Sequence, residues 1–291
     1  MTKLEHTFKT DILFKSLFVK HPDLLKKLVS ALLGIDHGSI GQFEIKNPDI
    51  PPERLGEKFC RLDINMEVDG RRVNLEVQVR DEGNYADRSL FHWASGYASA
   101  LPAGRDYIEL PRVVVISILD FNLFDCQEFH SQFAALEVTR HTPLTDKLAL
   151  HYFELPKLSG EVSAENYLEL WLALFKANTE EELAKIQALE VPDMNQAIGA
   201  YNDVLVASDF IELVRLRERA AHDEAGALRN AREKGEAKGR AEGRAPPSAG
   251  IPTPQRQEAP RISYHKAGSH PPAAPRGAHS LSVRFPQGSS A

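Results

Sequence analysis

Cysteine, tryptophan and methionine are scarce in this 291-residue chain, at two, two and three residues. Cys60 and Cys126 cannot build a disulfide framework or a zinc site by themselves, and their apolar settings predict reduced, buried thiols. Long hydrophobic runs are also missing. The longest, VVVISIL at 113–119, is far short of the roughly 20 residues that span a bilayer. The N-terminus, MTKLEHTFKTD, is polar and mixed in charge, unlike a secretory signal. There is no general excess of base: the formal charge of −6 argues against a broadly basic nucleic-acid coat while leaving room for a local patch. The 11 histidines show no H-E-x-x-H or other paired metal-ligand spacing, and no nucleophile elbow or phosphate loop is found. These absences point to a soluble cytoplasmic protein without a membrane partner.

What is present changes character along the chain. From Ala245 to Ala291 lie nine of the 18 prolines, with Ser, Gly and Ala between them and no apolar periodicity. Such a segment buries too little surface to offset chain entropy and is expected to be disordered. Residues 204–244 read as a charged helix ending in EKGEAKGRAEGR, whose glycines each cost about 1 kcal/mol relative to Ala. Its near-balanced charges suggest a solvated surface, and it is the candidate surface for homo-oligomerisation. Residues 1–203 form the body.

In the body, TDILFKSLFVKH and PDLLKKLVSALLG carry helical spacing, with Pro22 and Gly34 as punctuation. Residues 35–58 are a Pro/Gly-broken connection. YADRSLFHWASGYASAL is helical, with Leu90, Phe91, Ala94, Tyr97, Ala98 and Leu101 as its apolar face, and His92 reads as a packed helix residue more readily than a general base. PRVVVISIL is a β-branched run typical of a strand buried on both sides. FAALEVTR and LALHYFEL predict two more strands, and helical periodicity returns over 164–176 and 179–189. This order predicts an α/β domain with helices packed on a mixed central sheet.

Between the first helices and the buried strand lies RLDINMEVDGRRVNLEVQV, residues 61–79. Two alternating strands flank an Asp-Gly pair, a strong signal for a two-residue hairpin turn. Val68 then pairs with Arg71, placing Asp63 opposite Glu76 and Arg61 opposite Gln78. Opposed side chains sit about 4.5–5.5 Å apart at Cβ, and two carboxylates at that distance repel unless a proton or cation lies between them. On its own, such alternation is more often the wet face of an antiparallel hairpin. The surrounding elements instead favour a covered sheet, where an unpaired acid is costly and Mg2+ would resolve the cost.

TDILFKSLF, RLDINMEVDGRRVNLEVQV, DRSLFHWASGYASAL and LPRVVVISILDFNLF together resemble the Rpn family of recombination-promoting nucleases and transposases, within the PD-(D/E)XK nuclease superfamily. The resemblance runs over roughly residues 6–240. It implies a restriction-endonuclease-like core, Mg2+ as cofactor, DNA as partner, and endonucleolytic cleavage of phosphodiester bonds. It further implies that Asp63 and Glu76 bind the metal, while Gln78 takes the position usually held by lysine. Glutamine brings hydrogen bonds but no charge, so Lys58 or Arg61 would supply it, and Gln78 would orient water. Asp11 matches the family's opening helix, although a helix N-cap explains it adequately, and Arg88 suits a phosphate contact or a surface ion pair. Two alternatives stand beside cleavage: a DNA-binding recombination accessory protein that has lost activity, and a transposase-like strand-transfer protein.

The tail generates a first test. Residues 245–291 carry five basic groups and one acid, Glu258. An inert tail predicts that truncation after Arg244 leaves DNA affinity at low salt unchanged. A tether predicts lower affinity and a flatter salt dependence. A salt titration of both chains decides.

Overall fold

The computed structural model describes residues 2–46, 64–101, 104 and 106–241. Helical spacing yields α1 (Asp11–Lys20) and α2 (Pro22–Leu33), with Pro22 opening the second and Gly34, at φ 63°, closing it. Thr10 is the N-cap of α1, so Asp11 is its first helical residue rather than its cap.

A six-stranded mixed sheet follows, in the order β1-β2-β3-β4-β6-β5. β1 (Phe43–Ile45), β2 (Ile64–Val68) and β3 (Arg71–Gln78) pair antiparallel in succession. β4 (Val113–Leu119) and β6 (Leu148–Glu154) continue parallel to β3, and β5 (His130–Phe133) closes the far edge antiparallel to β6. The Asp-Gly turn forms as expected, with φ of 48° at Asp69 and 72° at Gly70, and Val68 pairs with Arg71. Asp69 Oδ1 accepts from the backbone N–H groups of Gly41 (3.0 Å) and Gln42 (2.8 Å), pinning the approach to β1 against the turn.

Three expectations need correction. The connection before the hairpin contains the short strand β1. FAALEVTR is not a strand over its length: β5 ends at Phe133, and Leu136 and Pro143 bridge across a turn. Cys126 is exposed, its Sγ 3.4 Å from Lys157 Nζ, because it sits in an open loop; Cys60 lies outside the described residues.

The two sheet faces are covered unequally. One side buries Val73, Leu75, Val114, Ile116, Ile118 and Phe153 beneath α1, α2, α4 (Tyr167–Lys176) and α6 (Pro192–Val206). Phe14, Phe18 and Phe175 pack ring against ring there, and Trp171 tilts against Phe18. β4, buried at every position, lies at the centre. The other side carries a smaller cluster of Tyr85, Val115, Leu119, Leu150 and Tyr152, with α3 (Tyr85–Ala98) across it.

α3 presents a different face from the one its apolar residues suggest. Leu90 and Phe91 are 46% and 68% exposed. Tyr85, Ser89 and Trp93 turn inward, with Ser89 Oγ 2.6 Å from Tyr152 Oη and Trp93 Nε1 3.4 Å from the Lys147 carbonyl. The sheet surface beneath α3 holds polar groups, so the helix meets it with polar and aromatic side chains that can satisfy them.

Residues 1–231 form one compact unit and residues 232–291 a second. α5 (Glu180–Gln187) opens with a Thr179–Glu182 capping box, and α7 covers Ser208–Ala241. In the second unit Arg232 Nε lies 3.0 Å from Glu236 Oε1 along that helix.

At the β5–β6 edge, His130 Nε2 and His151 Nδ1 are 3.1 Å apart. Burial first, then His130 and Arg112, push His151 down to about 4. Its folded value lies below the unfolded value of about 6.5, so the unfolded chain binds the extra proton between those limits. Stability therefore falls as pH drops from about 6.5 to about 4 and levels off below. His151→Gln should remove most of that slope, on the order of 2–3 kcal/mol, in urea denaturation run across the window.

Candidate active site

The site begins with an alternation that changes character along its length. On the α3 side of the hairpin, Asn65 is exposed, and Asn74 Nδ2 donates to Asn65 Oδ1 at 2.8 Å. Glu67 is half-buried and pairs with Lys46 at 3.1 Å. Further along β3, Glu76 is 1% exposed and Gln78 8% exposed. The face is wet near the turn and dry at its far end, where α3 closes over it.

The register extends from Val68↔Arg71 to Ile64↔Leu75, as expected. Asp63, Arg61 and Lys58, the second predicted metal ligand and the two predicted charge suppliers, lie outside the described residues. Glu76 and Gln78 are brought together on β3, opposite Ser117 and Leu119 of β4.

Glu76 has cationic company. The Arg88 guanidinium pairs through Nη2 with Glu76 Oε1, and the same nitrogen donates to Gln78 Oε1 at 3.1 Å. The guanidinium also stacks over Tyr85, 4.6 Å from the ring centroid. His92 Nδ1 lies 3.3 Å from Glu76 Oε2. Arg88 and His92 are four residues apart, one turn along α3, so a single helix face addresses both carboxylate oxygens. The reading of Arg88 as a surface ion pair is thus corrected, since its side chain is only 13% exposed. His92, read as a packing residue, has a ring nitrogen at the acid.

Neighbouring contacts fix this geometry. Gln78 Nε2 donates to the Arg80 carbonyl at 2.8 Å, and the Asp120 N–H donates to the Gln78 carbonyl at 2.9 Å. Lys9, almost fully buried, pairs with Asp120 at 2.8 Å and donates to Asn178 Oδ1 at 3.0 Å. The end of β3 is thereby tied to the segment leading into α1. Arg72 Nη1 reaches the Gly96 carbonyl (3.2 Å) and Ser99 Oγ (3.1 Å), anchoring the C-terminal end of α3 over the sheet. Asp11 lies apart from Glu76's contacts, with its carboxylate 3.6 Å from Arg217 Nη1.

A model of the PD-(D/E)XK nuclease family transposase matches residues 8–231. The chain belongs to this family. No curated protein and no solved structure matches it. Membership in the PD-(D/E)XK nuclease family transposases accounts for the mixed sheet flanked by helices and supports a nuclease or transposase-like role, with DNA binding implied. PD-(D/E)XK nucleases typically use divalent metals.

The donors present suit such an ion. Glu76 carboxylate, Gln78 Oε1 and Ser117 Oγ are hard oxygen ligands, and Ser117 Oγ is buried with no hydrogen-bond partner among the described residues. Among the described residues, no group of three or more His, Cys, Asp or Glu side chains is arranged to hold a metal. No helix among them is long and apolar enough to cross a membrane.

The Arg88 pair reverses what two opposed acids alone would suggest. Repulsion predicts that losing one acid stabilises the ion-free protein, but Glu76 already has a counter-ion. Glu76→Gln should therefore lower stability in EDTA by about 1–3 kcal/mol, because it strands the guanidinium. Chemical denaturation against wild type measures the difference.

Proposed function

We propose that this chain is a Mg2+-dependent DNA endonuclease serving recombination or a mobile element. The observation that carries this reading is Glu76: a carboxylate buried at the dry end of a sheet face, beside Gln78 and a serine hydroxyl with no hydrogen-bond partner among the described residues. Burying an acid there costs stability, which is reasonable where the group has chemistry to perform.

Glu76 and Asp63 would hold the ion, Glu76 from a strand position that pairs with Ser117 of the central strand β4. When bound, a divalent ion supplies an activated water and neutralises charge on the phosphate. Gln78 would orient that water by hydrogen bonding; its backbone carbonyl accepts from the Asp120 N–H and its side-chain amide donates to the Arg80 carbonyl. α3 shields the acid from bulk solvent, which strengthens electrostatic interactions within the site. Because position 78 carries no charge, a cation from elsewhere must face the phosphate, and Arg61 and Lys58 just precede Asp63 in the sequence.

Strand transfer is the second reading, favoured by the family's description as transposases. It predicts joined DNA products, whereas an endonuclease leaves only nicks or breaks.

Plasmid nicking with Mg2+ or EDTA provides the test. Asp63→Ala and Glu76→Ala should each abolish Mg2+-dependent nicking while keeping the fold. Gln78→Ala should slow it roughly 10- to 100-fold, whereas Gln78→Lys should retain most of it. Arg61→Ala reports on the source of positive charge. A wild-type protein that binds DNA but never nicks it would mark an accessory protein, and full activity in Glu76→Ala would remove that carboxylate from the chemistry.

A further inference from the structure

The Arg88 contact has an awkward consequence for a metal site: the carboxylate oxygen that would face an ion is occupied by a guanidinium. Arg88 is also incompletely satisfied. Its Nε and Nη1 are buried without hydrogen-bond acceptors among the described residues, and Nη1 lies 3.9 Å from Glu82. A planar fork built for two parallel bonds to a carboxylate or phosphate here uses one nitrogen for both Glu76 and Gln78.

We propose that Arg88 stands in for the metal on Glu76 in the ion-free protein and passes to a DNA phosphate when the ion binds. This rests on the nuclease reading above and assigns that site its missing cation. Three observations support it. Arg88 Nη2 sits against one oxygen of the buried Glu76 carboxylate, a cationic partner of the kind a buried acid requires. Its Nη2 also donates to Gln78 Oε1 at 3.1 Å, so positive charge already lies beside the uncharged residue proposed to position water. Its unused donors would all find acceptors on a phosphate, which compensates for leaving the carboxylate. His92 Nδ1 lies 3.3 Å from the other carboxylate oxygen.

The exchange predicts competition. Removing Arg88 should make the ion bind more tightly, although the variant handles DNA less well. Mn2+ alone is the probe, titrated calorimetrically into the full chain without DNA. Arg88→Gln should bind Mn2+ about 10-fold more tightly than wild type while its nicking rate falls at least 100-fold. Equal or weaker Mn2+ binding by Arg88→Gln, with wild type still binding, overturns this inference and leaves the nuclease reading standing. No Mn2+ binding by either protein overturns both. A measurement on wild type is independent of whether the variant folds: Mn2+ should speed amide hydrogen exchange across 88–96 of α3 as the Arg88 contact is released. Unchanged or slower exchange there overturns the proposal.

Discussion

A buried carboxylate needs a positive partner, and much of the architecture around Glu76 follows from that need. The acid sits on β3 beside Ser117 of the central buried strand, one residue beyond Leu75, which pairs with Ile64 across the hairpin, so its backbone cannot retreat toward water. Its charge must be met where it lies. α3 meets it with Arg88 and His92 one turn apart, and that helix is held down by Ser89 on Tyr152 and by Arg72 at its C-terminal end. The helix buries polar side chains and leaves Leu90 and Phe91 outside, an arrangement that packing alone would not favour.

The opposite face of the sheet makes this arrangement affordable. There the helices and sheet build a continuous apolar core around Phe14, Phe18, Trp171 and Phe175. Hydrophobic burial on that side supplies the stability, so the α3 side is free to hold a small cluster and an ionised pair. Lys9, Asp120 and the Gln78 carbonyl connect the two sides at the end of β3. Backbone and side chain at position 78 are therefore set by opposite halves of the molecule.

Much of this was legible in the chain itself. Asp69-Gly70 between alternating runs specifies the turn and the pairing register, because both positions require left-handed backbone that Asp and Gly tolerate. The β-branched run at 113–119 marks the central strand for the same local reasons. The inward face of α3 was harder to read. Periodicity assumes that apolar residues face the protein, and that assumption fails where the surface below carries Glu76 and Ser117. The available signal was the four-residue spacing of Arg88 and His92, together with Ser89 and Trp93 on the same side. FAALEVTR misled in the opposite way, because past Phe133 the alternation lines a turn whose strand-like pairing among the described residues is the single Leu136–Pro143 bridge.

The central claim is that Glu76 is a metal ligand whose resident counter-ion is Arg88. Anomalous diffraction from crystals soaked in Mn2+ tests it most directly, since it locates the ion and the guanidinium in one map. The account predicts an Mn2+ peak within coordination distance of a Glu76 carboxylate oxygen, with Arg88 displaced from that oxygen. Mn2+ bound only elsewhere, with Arg88 still seated on Glu76, would contradict it.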